Sequence, residues 1–329
     1  MKKLFFLLAC VAMSVLAMGQ DNQLVWANGR LLYGTPVESI DSLTYDEMQD
    51  IDTLRLLLPR TLIKVVHDTV YIHDTVYVET DCGEDDTSAG IGAFSVSDSK
   101  QVTFSKGNLQ YHPANDEWRF AENQTDYIGD ANSNCSSTYN GWLDLFGWST
   151  SATNFGVSTS EDNNDYSGSF IDWGTNKIGN DAPNTWRTLT KDEWEYLLNN
   201  RPNASSLKGI AQVNGVNGLI FLPDTWVCPA GVTLKSGFHS ESTVEAFGQY
   251  QTFTAEQWSK LESAGAVFLP AAGRRGGSDV RHVQHYSYYW SATEIFGDSA
   301  YYLYFGSDRA RMYNYYRYEG QSVRLVKDL

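Results

Sequence analysis

The side chains with the widest chemical range are few and scattered. Cys82, Cys135 and Cys228 follow the apolar leader, and their separations fit no zinc pattern. Cys135 with Cys228 is one candidate bridge and Cys82 a link between two chains; three unpaired thiols is the other reading, open because the number is odd. His67 and His73 recur in a six-residue repeat, yet no further His or Cys stands at ligand spacing, so they read as one solvated strand face. The acidic run Glu161-Asp162-Asn163-Asn164-Asp165 lacks the spacing of a known calcium loop and reads as a solvated loop. What stands out is tyrosine. Ten of the chain's 20 lie between Tyr286 and Tyr318.

Tyrosine offers a large amphipathic contact area at low entropy cost, which is why recognition surfaces concentrate it among small polar residues. Tyr289, Trp290, Tyr301, Leu303 and Phe305 cluster as a buried frame. The remainder, interleaved with Asp, Arg, His, Gly and Ser, follow no period of 2 or 3.6 and are expected on display. The candidate ligand-binding set is Asp279, Arg281, His282, His285, Tyr286, Tyr288, Ile295, Phe296, Asp298, Tyr302, Tyr304, Asp308, Arg309, Arg311, Tyr313, Asn314, Tyr315, Tyr316 and Tyr318. Such a surface calls for no cofactor and no metal.

These residues must be held by a folded body, and composition provides one. The 329 residues carry 14% aromatic residues and 27 Gly against 8 Pro, the profile of a globular, strand- and loop-rich protein. A formal net charge of -16 opposes affinity for phosphate backbones or anionic lipid, so nucleic acid is not an expected partner. Lys2 and Lys3, the apolar run Leu4 to Ala17 and small residues ahead of Gln20 have the layout of a secretory signal peptide over 1–19, so the chain is expected to be exported to the cell surface or beyond. Cleavage after Ala17 or after Gly19 fits, the second better. Leu7-Leu8-Ala9-Cys10 is similar to a lipobox, which would make Cys10 a lipid anchor; the apolar run continuing seven residues beyond it favours the later cleavage.

Residues 20–60 are expected to form a small β-rich module, because Leu24 to Tyr33 holds two apolar runs around Asn28-Gly29, a hairpin signal. The repeat His67-Asp68-Thr69-Val70-Tyr71-Ile72 and His73-Asp74-Thr75-Val76-Tyr77-Val78 predicts an extended stalk within 61–90. At about 3.3 Å per residue it would reach roughly 40 Å. Its backbone would need pairing from a neighbouring chain or the N-terminal module, hence an expected self-association through the stalk. The acidic stretch Asp81 to Gly90 reads as a linker.

From residue 91 to 329 one large domain is expected. Val102–Phe104, Leu109–Tyr111, Trp118–Phe120, Leu219–Leu222 and Ala266–Leu269 read as strands. Thr190-Lys191-Asp192-Glu193 and Thr254-Ala255-Glu256-Gln257 are capping boxes that start two helices. Two helices on a strand- and loop-rich body make the fold class α+β.

Three pieces of this domain carry a resemblance. Trp186-Arg187-Thr188-Leu189-Thr190-Lys191-Asp192-Glu193-Trp194-Glu195-Tyr196, the run Leu269 to Arg275, and Tyr289 to Thr293 with Gly320 to Val326 resemble the C-type-lectin-like domains of secreted Bacteroidetes proteins. The same layout resembles formylglycine-generating-enzyme-like domains and the variable proteins of diversity-generating retroelements. The resemblance implies a lectin-like head that binds a protein or glycan ligand, as in an adhesin. Formylglycine-generating enzymes need reactive cysteines near the C-terminal end, and this chain has none after Cys228, so no enzymatic activity is expected. A degenerate enzyme of that type, and a pilus or surface-layer component whose aromatics pack on a neighbouring subunit, are the alternatives. Variable proteins are diversified by replacing template adenines, which reaches Tyr, His, Asp, Ser, Ile, Phe, Gly, Arg and Asn; the candidate set obeys this, while Trp290, Glu294, Met312, Glu319 and Gln321 would be fixed scaffold.

Overall fold

The computed structural model describes residues 92–329 throughout and, before them, the backbone of four strands. The leader 1–19 with Cys10, the residues 36–63, the second copy of the repeat, Cys82 and the acidic linker lie outside the described residues. The chain divides into two compact units, Met1–Asp85 and Asp86–Leu329.

In the first unit β1 (Gln23–Ala27) pairs antiparallel with β2 (Arg30–Thr35), Ala27 opposite Arg30, which is the hairpin that the Asn-Gly pair predicts. The second pairing differs from expectation. β3 (Lys64–Val66) pairs antiparallel with β4 (Thr69–Tyr71), Lys64 opposite Tyr71 and Val66 opposite Thr69. The strand in the first copy of the repeat, Thr69–Tyr71, therefore takes its pairing from the segment just ahead of the repeat and not from the module at 20–60. A local hairpin satisfies the same backbone groups with a far shorter loop to close than any distant partner requires.

The second unit begins with β5 (Phe94–Ser97) and β6 (Lys100–Phe104), followed by the hairpin β7 (Leu109–His112) and β8 (Glu117–Phe120). A long stretch of turns and short 3-10 segments leads to α1 (Lys191–Glu195), which runs on into a π turn over Tyr196–Asn200. Then come β9 (Lys208–Val213), β10 (Val216–Phe221), α2 (Val244–Tyr250), β11 (Thr252–Phe253), α3 (Ala255–Ser263) and β12 (Val267–Pro270). The C-terminal part comprises β13 (Arg274–Gly276), β14 (Asp279–Arg281), β15 (Ser287–Ile295), β16 (Ser299–Phe305), β17 (Ala310–Tyr316) and β18 (Val326–Asp328). The architecture is mixed α+β, mostly strand, with three α-helices among the described residues.

Both expected capping boxes form. The Thr190 hydroxyl accepts from Glu193 N at 3.2 Å while Thr190 N donates to the Glu193 carboxylate at 2.9 Å. Thr254 and Gln257 repeat the exchange at 3.2 and 3.0 Å. These bonds satisfy orphan N–H groups of each first turn and fix where the helix begins. The expected apolar face of α1, with Trp194, Leu197 and Leu198, is fully buried. α2 was not anticipated: its Thr243 makes no side-chain cap bond and Gly248 interrupts its apolar pattern. It forms because Ala246 and Phe247 reach the core, a tertiary gain that outweighs weak local propensity.

Four strands form the central sheet in the order β11-β9-β10-β12. Its β9–β10 reversal is Asn214-Gly215, with φ of 47° and 81°, the left-handed pair that a two-residue hairpin turn requires. A second sheet, β18-β6-β5, brings the C-terminal strand against the first strands of the unit, with Val326 opposite Phe104. The third, β15-β16-β17, carries the tyrosines. One core cluster gathers Phe94, Phe104, Trp194, Phe221, Tyr289 and Phe305, and another Phe146, Trp148, Trp173, Trp290 and Val323. The tyrosine sheet lies between them, one face on each.

Buried arginines tie loops to this frame. Arg201 donates through Nε to Leu197 O at 3.0 Å, through Nη1 to Leu222 O at 2.9 Å and Asp224 Oδ1 at 3.1 Å, and through Nη2 to Leu207 O at 3.0 Å. Asp224 in turn accepts from Ser95 N, Ser95 Oγ and Gln101 Nε2. Arg317 donates to Tyr166 O, Gly168 O and Glu294 Oε2 and stacks on Trp148 at 4.5 Å. Cys135 and Cys228 are both free, so the candidate bridge between them does not form.

Candidate ligand-binding site

Register in the tyrosine sheet decides what each ring faces. Tyr288 stands opposite Tyr304, and Tyr304 opposite Arg311; Trp290 stands opposite Tyr302, and Tyr302 opposite Tyr313. Successive strand residues point to opposite faces, so these rows lie on one face and Tyr289, Leu303 and Met312 lie on the other. The expectation that the displayed tyrosines follow no period is therefore corrected. Tyr302 with Tyr304 and Tyr313 with Tyr315 follow a period of two within β16 and β17, which the neighbouring tyrosines and the turns disguise in the linear sequence.

The rings form a connected ladder. Centroid separations are 5.6 Å for Tyr288–Tyr302, 5.7 Å for Tyr288–Tyr304, 5.6 Å for Tyr304–Tyr313 and 6.3 Å for Tyr302–Tyr313. Such tilted and edge-on contacts lock ring positions before any ligand arrives. A cavity of about 490 Å³ opens over this ladder, lined by Tyr288, Tyr302, Tyr304, Arg309, Arg311, Tyr313, Asn314 and Tyr315 together with Arg274 and Gln321. Eight of the ten lining residues belong to the candidate set.

Depth varies across it. Tyr288 and Tyr302 are only 8% and 7% exposed, so two residues expected on display are instead the floor. The reason is their neighbours: both pack into the cluster around Trp290. Tyr304 and Tyr313 are half-buried walls, and Tyr315, at 40% exposure, is the rim. Of the expected frame, Tyr289, Trp290, Leu303 and Phe305 are buried, and Tyr301 is half-buried.

The remaining candidates lie off the cavity. Asp279 and Arg281 on β14 pair with each other at 2.6 Å. His282 holds φ of 63° in the following turn and its Nδ1 meets the Tyr288 hydroxyl at 2.9 Å, so it supports the floor from behind. Burial and the Arg274 guanidinium hold its imidazole below the ordinary pKa, which keeps it neutral at pH 7. His285 packs edge-on against Tyr286 at 4.1 Å, and the Tyr286 hydroxyl shares a hydrogen bond with Ser242 Oγ at 3.1 Å. Ile295, Phe296 and Asp298 belong to the β15–β16 reversal, where Phe296, 86% exposed, sits at φ of 56°. Asp308 pairs with Arg309 at 2.6 Å in the β16–β17 reversal. Tyr316 stacks between Tyr315 and Tyr318 at 5.2 and 5.4 Å beyond the rim.

Two lining residues were missed. Arg274 Nη1 lies 2.9 Å from Glu319 Oε2, and its guanidinium sits 5.7 and 5.4 Å from the Tyr288 and Tyr315 ring centroids. Gln321 is held from both sides: its N–H donates to Phe146 O at 2.8 Å and its carbonyl accepts from Phe146 N at 2.9 Å. Reciprocal bonds between Arg275 and Gly320, at 2.8 and 2.7 Å, set these two segments side by side. Gly320 has no Cβ to obstruct this; one built there would meet Arg275 Cβ at 2.9 Å. Both lie within runs that the sequence singles out, Leu269 to Arg275 and Gly320 to Val326, but neither was expected to line a site, and Gln321 was expected as fixed scaffold.

Burial pushes the hydroxyls of Tyr302 and Tyr304 up to about 12, and that of Tyr288 higher, so all three stay protonated and able to donate. Burial also raises the Glu319 carboxyl above its usual range, more than Arg274 lowers it. The acidic loop at Glu161 is bound up locally: Asp162 Oδ1 accepts from Asn164 N at 2.9 Å and Asp165 Oδ2 from Ser160 Oγ at 2.6 Å. Among the described residues no group of three or more His, Cys, Asp or Glu side chains could hold a metal ion.

Fold and site together define a strand-rich α+β unit that presents an aromatic cavity with guanidinium groups on one face of a three-stranded sheet. Comparisons with protein-family models, curated proteins and solved structures find no match to this chain.

Proposed function

We propose that this chain is an exported cell-surface binding protein or adhesin, whose head, lectin-like by resemblance, recognises a protein or glycan ligand by non-covalent contact and without turnover. The observation that carries this reading is the cavity over the tyrosine ladder. Its volume falls in the range of small-ligand sites. Its walls combine aromatic faces, neutral hydroxyl donors and guanidinium groups, the side chains that dominate recognition energetics. Ring-on-ring packing holds them in place, so little conformational entropy is lost on binding.

Diversification belongs to the same proposal. Tyr304, Arg311, Tyr313, Asn314 and Tyr315 line the cavity from two adjacent strands, so changing them would alter the ligand chosen while Trp290 and Gln321 keep the frame. A near-copy of this segment, asparagine-rich at these positions and beside a reverse transcriptase gene, is the expected genomic signature.

The test is an array of glycans and cell-surface proteins probed with the full chain and with a Tyr304→Ala/Tyr313→Ala variant. The expected outcome is a small set of ligands that the variant loses while its thermal unfolding stays within a few degrees of the parent. Ligands retained in full by the variant, or no ligand at all, would overturn the reading.

A further inference from the structure

Charge and hydrogen-bonding capacity in the cavity are not balanced by the protein itself. Of its three guanidinium groups, Arg274 is paired with Glu319 and Arg309 with Asp308. Arg311 stacks on the Tyr313 ring at 4.0 Å and has no carboxylate partner among the described residues. One positive charge is thus left over on a chain whose net charge is -16. That distant negative charge matters little here, because free charges more than about 8 Å away are largely screened at physiological ionic strength. The local guanidinium decides which ions settle.

At the base, Gln321 is 1% exposed and its Oε1 is buried with no hydrogen-bond partner among the described residues. A buried acceptor without a donor is unusual in a folded protein, and the residue that carries it here lines the cavity. It calls for a hydroxyl or amide donor from whatever enters. Around it, the hydroxyls of Tyr302, Tyr304 and Tyr313 make no hydrogen bond to other described residues, and they remain free to donate.

Resting on the binding reading above, we infer that the cavity takes a sugar acid, a hydroxylated ring bearing one carboxylate, either free or as the end residue of a glycan. The carboxylate would lie on Arg311, where the flat guanidinium offers two parallel N–H donors. A ring hydroxyl would donate to Gln321 Oε1, other hydroxyls would accept from the tyrosines, and the C–H face of the ring would rest on the aromatic ladder. A neutral sugar leaves the Arg311 charge unanswered. A carboxylate without hydroxyls leaves Gln321 unanswered. Only a ligand with both features meets every group.

Titration calorimetry of the full chain tests this with D-glucuronate, N-acetylneuraminate, an oligosaccharide ending in glucuronate, and two controls, D-glucose and glutarate. The expected result is that at least one acid sugar binds about tenfold or more tighter than both controls. Arg311→Gln, an exposed position that leaves the core intact, should abolish the preference over glucose. Gln321→Met should abolish the preference over glutarate, with circular dichroism confirming that it folds. Tighter binding of the oligosaccharide than of free glucuronate identifies a chain end, and equal binding identifies the free acid; either supports the inference. Glucose or glutarate binding as well as the acid sugars would overturn it. If no sugar binds a chain that does capture an array ligand through Tyr304 and Tyr313, the acid-sugar inference fails while the binding function stands.

Discussion

Trp290→Ala and Tyr315→Ala remove aromatic rings from one sheet with opposite expected consequences. Trp290 is 1% exposed, packs 6.1 Å from Tyr302, and donates through Nε1 to Phe146 O at 2.7 Å. Truncating a buried aromatic to alanine costs about 3 to 5 kcal/mol through lost transfer energy and the cavity left behind. The Phe146 carbonyl keeps its bond from Gln321 N, so loss of the indole donor adds little to this. For a unit of this size each kcal/mol corresponds to roughly 2–4 °C in Tm, so a loss of about 3–5 kcal/mol lowers Tm by roughly 6–20 °C. Tyr315, at 40% exposure, touches Arg274 and Tyr316 only at the rim. Its removal should cost less than about 1 kcal/mol, a Tm change within roughly 3 °C. Scanning calorimetry on the full chain, following the transition of the larger unit, measures both. If Tyr315→Ala loses more than half of what Trp290→Ala loses, the division of this segment into a buried frame and a displayed rim is wrong. Both variants should then be read by ligand capture, where Tyr315→Ala is expected to weaken binding without unfolding.

Three further outcomes follow from buried groups outside the cavity. The Asp144 carboxyl is fully buried, accepts from Asn132 Nδ2 at 2.8 Å and Ile128 N at 2.9 Å, and is raised by burial from 3.8 to about 6 despite those bonds. Its folded-state pKa lies above the unfolded one, so stability should increase as pH falls from about 7 towards 4, by at most about 3 kcal/mol from this group. Asp144→Asn should flatten that slope in melts at pH 5 and 7 whatever its absolute Tm; unchanged slopes would rule the assignment out. Asp224→Ala leaves the buried Arg201 guanidinium with carbonyl partners only, and should cost about 3–5 kcal/mol in urea unfolding; a loss under 1 kcal/mol would show the pair to be dispensable. Gly156 has φ of 79° and a Cβ built on it would lie 1.8 Å from Gly147 O, so Gly156→Ala should destabilise by about 2 kcal/mol or more. A melting temperature equal to the parent's would mean that this loop relaxes freely.

Local chemistry was legible wherever a few neighbouring residues suffice. Thr190 with Glu193 and Thr254 with Gln257 close their own capping boxes, and the two helix starts lie where those residues place them. Short apolar runs such as Leu109–Tyr111 and Trp118–Phe120 pair as strands because each contains its own alternation. Misses arise where the deciding partner is distant. α2 has no cap and is helical because Ala246 and Phe247 find the core. The strand of the first repeat copy pairs with β3, the segment just ahead of the repeat, a partner that the repeat itself does not reveal. Cys135 and Cys228 remain free, which no spacing in the sequence reveals.

For the candidate site the sequence alone determined where to look: a stretch holding half the tyrosines, interleaved with Arg, Asp and Asn, supplies eight of the ten residues around the cavity. Only the tertiary structure decided which of them are floor, wall and rim, because that depends on cross-strand register and on which face of the sheet meets Trp290. It alone brought in Arg274 and Gln321, through bonds between Arg275 and Gly320 and between Gln321 and Phe146 that span 45 and 175 residues of chain. Composition is a property of neighbours along the chain. The balance of charges and hydrogen-bond donors in a cavity is a property of neighbours in space.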